Sequence, residues 1–183
     1  ANDAFIRNEY VEIYDIIRST FAANANAGLL TVALVQGSSG VGKSAFLQYL
    51  VKRVRNEAKN ILVVRGDSDN SQSRSFLHLS TNWLGWKIAT IITSRDRAKD
   101  IENFCDWTIG DGYDWEPKSN FTVGAASPST PWKGFRIVTE LLQICMPPWS
   151  VQQLERCRNL INPHGMDANT LRENYKLVGG IAR

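Results

Sequence analysis

A chain of 183 residues is long enough for one full domain and can bury roughly 70% of the surface its unfolded form exposes, so it needs no disulfide staples. With 43% hydrophobic, 21% charged and 10% aromatic residues, the composition excludes a disordered, collagen-like or low-complexity scaffold. The 21 basic and 18 acidic residues leave a formal charge of +3, too small to imply a nucleic-acid or membrane partner by itself.

In chain order, Tyr10, Ile13, Tyr14, Ile17 and Phe21 recur at helical spacing and predict an amphipathic helix, followed by a loop at Ala23–Gly28. Leu29 to Val35 is a nearly continuous apolar run with branched residues, as expected of a strand buried on both faces of a parallel sheet. Phe46, Leu50 and Val54 define a second helix over 43–59, and Ile61 to Val64 a second buried strand. Phe76, Leu79, Trp83, Trp86 and Thr90 fall on one helical face, so the spacing predicts a helix over 75–93, its tryptophans in the core. Arg95 to Glu102 is charged and reads as a solvated helix or loop. Trp107–Ile109 and Phe121–Ala126 read as two further strands. Pro131 opens a short expected helix through Val138, and Leu141 to Met146 is a last expected strand, stopped by Pro147-Pro148. Ser150 with Gln153 forms a capping box for a helix through Leu160, and a final helix runs from about Asp167 to Gly179-Gly180. Alternating strands and helices imply an α/β layered fold with a mainly parallel sheet: a core over 1–148 and a small C-terminal helical appendage over 149–183.

Cys105, Cys145 and Cys157 are odd in number and lack C-x-x-C spacing, so they read as reduced, buried thiols. His78 and His164 stand far apart, which argues against a zinc site. No apolar run approaches the roughly 20 residues that span a bilayer, so no membrane partner is expected. Ala1-Asn2-Asp3 lacks the basic and apolar regions of a signal peptide, and the chain is expected to be a piece of a longer protein.

The most informative stretch is Gly37-Ser38-Ser39-Gly40-Val41-Gly42-Lys43-Ser44, a complete G-x-x-x-x-G-K-[ST] pattern between the first strand and the second helix. Glycines let the backbone curl so that successive N–H groups point at phosphate oxygens, and the helix adds its positive end. Lys43 suits the β- and γ-phosphates and the Ser44 hydroxyl a magnesium shell, which points to ATP and Mg2+. Gly40, Gly42 and Ala45, with Asp67 later, also satisfy a dinucleotide pattern, but that reading leaves Lys43-Ser44 unexplained. A shape-only loop is the other alternative.

Phosphoryl transfer of this kind needs an acid at the end of another strand to position the metal. Asp67 and Asp111 both qualify, and sequence physics alone does not separate them. Neither is followed by a glutamate to polarise water, so hydrolysis is expected to be slow, or Asp114 or Glu116 supplies the base. Ser127, just after the Phe121–Ala126 strand, stands at the carboxyl edge of the sheet, where it is placed to sense the γ-phosphate; a helix-start turn explains it equally well. Lys52, Arg53, Arg55 and Lys59 cluster around the second helix, which leaves a DNA-binding face open beside the simpler reading of a solvated helix side.

Phe5-Ile6-Arg7, the glycine loop, Ala125-Ala126-Ser127-Pro128, Trp132-Lys133-Gly134-Phe135, Met146-Pro147-Pro148-Trp149-Ser150 and Tyr175 through Gly179-Gly180-Ile181-Ala182-Arg183 together resemble the NTPase domain of Crinkler effectors and of retrotransposon hot spot proteins. The resemblance implies a three-layer P-loop NTPase of the AAA+/STAND type that binds ATP with Mg2+, in proteins secreted and translocated into host cells, often reaching the host nucleus. The alternative is a catalytically weak module for nucleotide-dependent self-association, which needs only the glycine loop, or a DNA-binding module using the basic cluster. The resemblance implies Asp111 as the acid that orients the metal and Arg183 as a phosphate-sensing arginine. Two departures stand out: Ala182 replaces a usual proline, and Gly110 interrupts the apolar run before Asp111.

Overall fold

A computed structural model describes residues 6–26, 29–58, 60–67, 70–82, 84–85, 87–111, 121–128, 140–161 and 166–180. Strand β1 (Thr31–Gln36) is buried along its length except at Gln36. It has the expected two-sided burial and is paired on both edges, to β6 (Phe121–Ala126) and β7 (Glu140–Cys145), both parallel to it. Beyond β6 come β5 (Trp107–Asp111) and β2 (Asn60–Asp67), again parallel. The order β2-β5-β6-β1-β7 therefore puts five carboxyl ends along one edge. Gly110 pairs with Gly124 of β6 inside this ladder, so β5 continues unbroken to Asp111.

The stretch expected to be one helix over 75–93 is instead two antiparallel strands, β3 (Asn70–Thr81) and β4 (Lys87–Ile92), which extend the sheet beyond β2 into seven strands. Two local features defeat the helix. Asn82 and Gly85 close a turn, with the Gly85 N–H donating to the Asn82 carbonyl and glycine at φ +80°. The branched residues Ile88, Thr90, Ile91 and Ile92 then favour a strand, and pairing of Leu79 with Ile61 and Leu77 with Val63 extends the core sheet. Trp83 and Trp86, expected in the core, lie outside the described residues, as does the helix expected from Pro131.

Because strand side chains alternate in direction, the sheet has two different faces. Ala33, Val35, Ile61, Trp107, Ile109, Val123 and Ala125 pack with α1 (Asn8–Ala25) and α2 (Lys43–Val54). Phe21 of α1 stacks on Phe121 at 5.1 Å and meets Trp107 at 5.4 Å. Leu62, Val64, Phe76 and Ile92 form a second core on the opposite face with Ala98 of α3 (Arg95–Glu102) and Cys105. The chain is thus an α/β protein with a mostly parallel sheet and helices against both faces. Helix α1 continues through Ala23 to Ala25, where a loop was expected, since alanine is the strongest helix former.

The two closing helices are α4 (Val151–Ile161) and α5 (Ala168–Val178). The expected capping box is formed in both directions: the Gln153 N–H donates to Ser150 Oγ at 3.2 Å and the Ser150 N–H to Gln153 Oε1 at 2.9 Å. Asp167 caps α5 by accepting from the Asn169 and Thr170 N–H groups. An Arg172–Glu155 ion pair at 2.7 Å joins the two helices. Among the described residues, no helix is long and apolar enough to cross a membrane.

Candidate functional site

The chain leaves β1 at Gln36 and enters α2 at Lys43 through six residues, which requires a sharp reversal. Gly40 at φ +82° and Gly42 at φ +100° supply it, backbone shapes open mainly to glycine. A Cβ at Gly42 would also overlap the Tyr10 hydroxyl. Gly42 is the N-cap of α2 and brings no side-chain cap, so the first-turn N–H groups of Lys43, Ser44 and Ala45 have no partner within the helix. Their dipoles add to a positive helix end.

Three successive loop carbonyls are held from outside. Gly40 accepts from Trp149 Nε1 at 3.2 Å, Val41 from Arg7 Nη1 at 2.7 Å and Gly42 from the Tyr10 hydroxyl at 2.9 Å. A planar trans peptide points its N–H opposite to its C=O, so these bonds turn the N–H groups of Gly42 and Lys43 away from the clamping side. Lys43 Nζ donates to the carbonyls of Gly37 at 2.7 Å and Ser38 at 2.8 Å. Burial lowers the Lys43 pKa and the nearby Asp111 carboxylate raises it, with burial prevailing.

The loop opens on a cleft of about 380 Å³, lined by Ser39, Gly40, Gly42, Lys43, Ser44, Asp111, Ser127 and Trp149 among others. The polar residues Lys43, Ser44, Asp111 and Ser127 arrive from three places in the fold: Lys43 and Ser44 from the first turn of α2, Asp111 from the end of β5, Ser127 from just past β6. The sheet register brings them together, since Asp111 pairs with Ala125 and Gln36 with Ala126. β5 is separated from the loop strand by β6 alone, whereas β2, which carries Asp67, lies one strand further away. Gly37 and Ser38 supply carbonyls to Lys43, and Val41 buries its side chain behind the loop. Arg183, Asp114 and Glu116 lie outside the described residues.

No family model matches this chain, and no curated protein matches it.

A second cavity of about 440 Å³ shares Ser44 and Asp111 with the first and runs along α2 over Val63, Leu77 and Ile91. Of the basic cluster on α2, Arg53 lies 5.1 Å over the Tyr14 ring, so its guanidinium is engaged within the molecule. Sequence reasoning gave Arg7, Tyr10 and Trp149 no part in the site. Their partners lie 34, 32 and 109 residues away in the chain, and no local pattern carries such contacts. Among the described residues, no group of three or more His, Cys, Asp or Glu is placed to hold a metal by protein ligands alone.

Proposed function

We propose that this chain is a P-loop domain of the AAA+/STAND type, akin to the Crinkler NTPase domains, that binds ATP with Mg2+ in the 380 Å³ cleft and hydrolyses it slowly. The observation that carries the reading is the gathering of Lys43, Ser44, Asp111 and Ser127 around one glycine-built loop whose α2 end offers unpartnered N–H donors. Triphosphate oxygens need such an arrangement, with donors in a concave row, a cation within reach and a hard oxygen pair beside them.

The strand order supports the same reading. A dinucleotide fold sets the strand after the glycine-loop helix beside the loop strand, whereas here β5 and β6 stand between β1 and β2. With β6 between β1 and β5, the acid and the Ser127 hydroxyl come to the loop from successive strands. The Ser44 hydroxyl and Asp111 carboxylate fit magnesium, which prefers hard oxygens and keeps most of its shell for water and phosphates. When bound, the metal would offset triphosphate charge. Lys43 exchanges its loop carbonyls for phosphate oxygens, Asp111 orients the metal shell and Ser127 donates to the terminal phosphate. Gly112 stands where a water-polarising glutamate would follow Asp111, which makes turnover slow. Secretion and action in a host nucleus belong to the same proposal through the resemblance.

Calorimetric titration of the purified chain with ATP, with and without magnesium, together with phosphate release, tests this reading. Lys43→Ala should keep its circular dichroism spectrum and bind ATP roughly 10- to 100-fold more weakly, the worth of a charge-assisted contact. Unchanged triphosphate affinity in the folded variant would sink the assignment.

A further inference from the structure

The bonds on the outer side of the loop point to a control element. Arg7 is fully buried, which is rare for an arginine unless it is well paired. Its fork donates to Val41 and to the carbonyls of Pro147 and Pro148 at 3.2 and 3.3 Å. Nε lies 3.4 Å from the Glu9 carboxylate, near enough for an ion pair but without hydrogen-bond alignment. The guanidinium also lies 4.5 Å over the Trp149 ring. One side chain thus ties the start of α1, the loop and the segment leading into α4 to one another.

Trp149 is the second tie. Its indole donates to Gly40, while its backbone N–H donates to the Gly180 carbonyl at 2.8 Å. Gly180 is seated so closely that a Cβ there would overlap the Trp149 carbonyl oxygen. Gly180, the second residue past α5, therefore rests directly on the residue whose side chain holds the loop. A third tie runs through α4, where Gln153 Nε2 donates to both Glu9 oxygens at 2.7 and 2.8 Å.

We propose that Arg7, Tyr10 and Trp149 are positioning residues that clasp the glycine loop by its carbonyls, and that the α4–α5 pair sets the clasp through Gly180. Docking of Gly180 holds the loop with its N–H groups turned toward the cleft. Lifting α5 releases Trp149, frees the Gly40 carbonyl and lets the loop relax. The functional consequence, coupling of α5 movement to triphosphate affinity, rests on the nucleotide reading above; the coupling of α5 to the loop does not.

The test separates the two. Arg7→Ala leaves a cavity and unpaired carbonyls and is a poor probe, so the variants are Trp149→Phe, which keeps a ring under Arg7 but removes the donor, and Gly180→Ala, which unseats α5. Amide hydrogen exchange without nucleotide reads the loop, and calorimetry with ATP and magnesium reads the site. The Val41 and Phe46 amides, which donate to the Ser38 and Gly42 carbonyls of the loop, should exchange roughly three- to tenfold faster in Trp149→Phe, the worth of one hydrogen bond, and faster still in Gly180→Ala. Amides of α3 and of the β3–β4 hairpin should keep their parent rates; a merely structural loss would raise exchange across the molecule together. ATP affinity should fall in the same order as the loop rates rise. If the parent binds no ATP, the nucleotide reading fails, and the clasp stands or falls on the exchange rates alone. Loop rates equal to the parent in both variants overturn the clasp, whatever the ATP affinity.

Discussion

Under the proposed nucleotide reading, Asp111 takes its role from a neighbour in space. Burial lowers the Lys43 pKa, the Asp111 carboxylate partly opposes that shift, and Asp111 shares the cleft with Ser44. Asp111→Asn removes the charge while preserving shape, so it should leave triphosphate binding without metal largely intact. Magnesium-dependent turnover should drop about 10- to 100-fold, the usual cost of losing a carboxylate that orients a metal shell. Asp67→Asn should be mild, because β2 lies one strand further from the loop than β5. Phosphate release by the two variants side by side checks this, and loss of turnover in Asp67→Asn alone would reverse the assignment. The residues of the loop were legible from the chain because a contiguous pattern encodes them. The choice between the two acids was not, since it depends on which strand lies beside β6, and nothing near Asp67 or Asp111 records strand order.

At the scale of elements, legibility followed the range of the forces involved. The helix starts at Ser150 and Asp167 depend on side chains reaching backbone groups two or three residues on, and both caps form where the sequence places them. The segment 75–93 shows the opposite case. Phe76, Leu79, Trp83, Trp86 and Thr90 fit a helical wheel, yet the turn at Asn82–Gly85 and pairing with β2 outweigh that spacing. The result is an edge strand, β4, with Ile91 75% exposed. The capping box yields a measurable expectation. Ser150→Ala should destabilise the chain by about 1 kcal/mol, a typical cost for a lost N-cap, read as a lower urea midpoint with unchanged slope. Double replacement with Gln153→Ala should cost more than Ser150→Ala, because Gln153 also holds Glu9. A midpoint unmoved by Ser150→Ala would mean that α4 is held by its packing alone.

Over the whole molecule, the three thiols report on three depths. Burial was expected of all three, but Cys145 is exposed at the end of the outer strand β7 and Cys157 is only half-buried on α4, while Cys105 is buried in the core on the α3 side. Burial, with Glu102 and Asp106 nearby, pushes the Cys105 thiol up to about 12, and burial also raises Cys157. Cys105 is therefore both shielded and protonated at pH 8, and a thiol reagent reaches it only when that core opens. For a domain with stability of at least about 5 kcal/mol, labelling of Cys105 should be slower than that of Cys145 by about 10³-fold or more. Nucleotide then distinguishes two kinds of opening. If the sheet opens as one unit, saturating ATP with magnesium binds only the closed form and slows Cys105 labelling by the factor 1 + [L]/Kd, while Cys145 keeps its rate. The shared sheet favours this outcome, since β2 joins the α3 core to β5, which carries Asp111. Labelling kinetics at rising ATP concentrations, with the site of reaction fixed by mass spectrometry, provide the measurement. A Cys105 rate that stays constant while ATP saturates the cleft would show that the α3 face opens independently of the loop side.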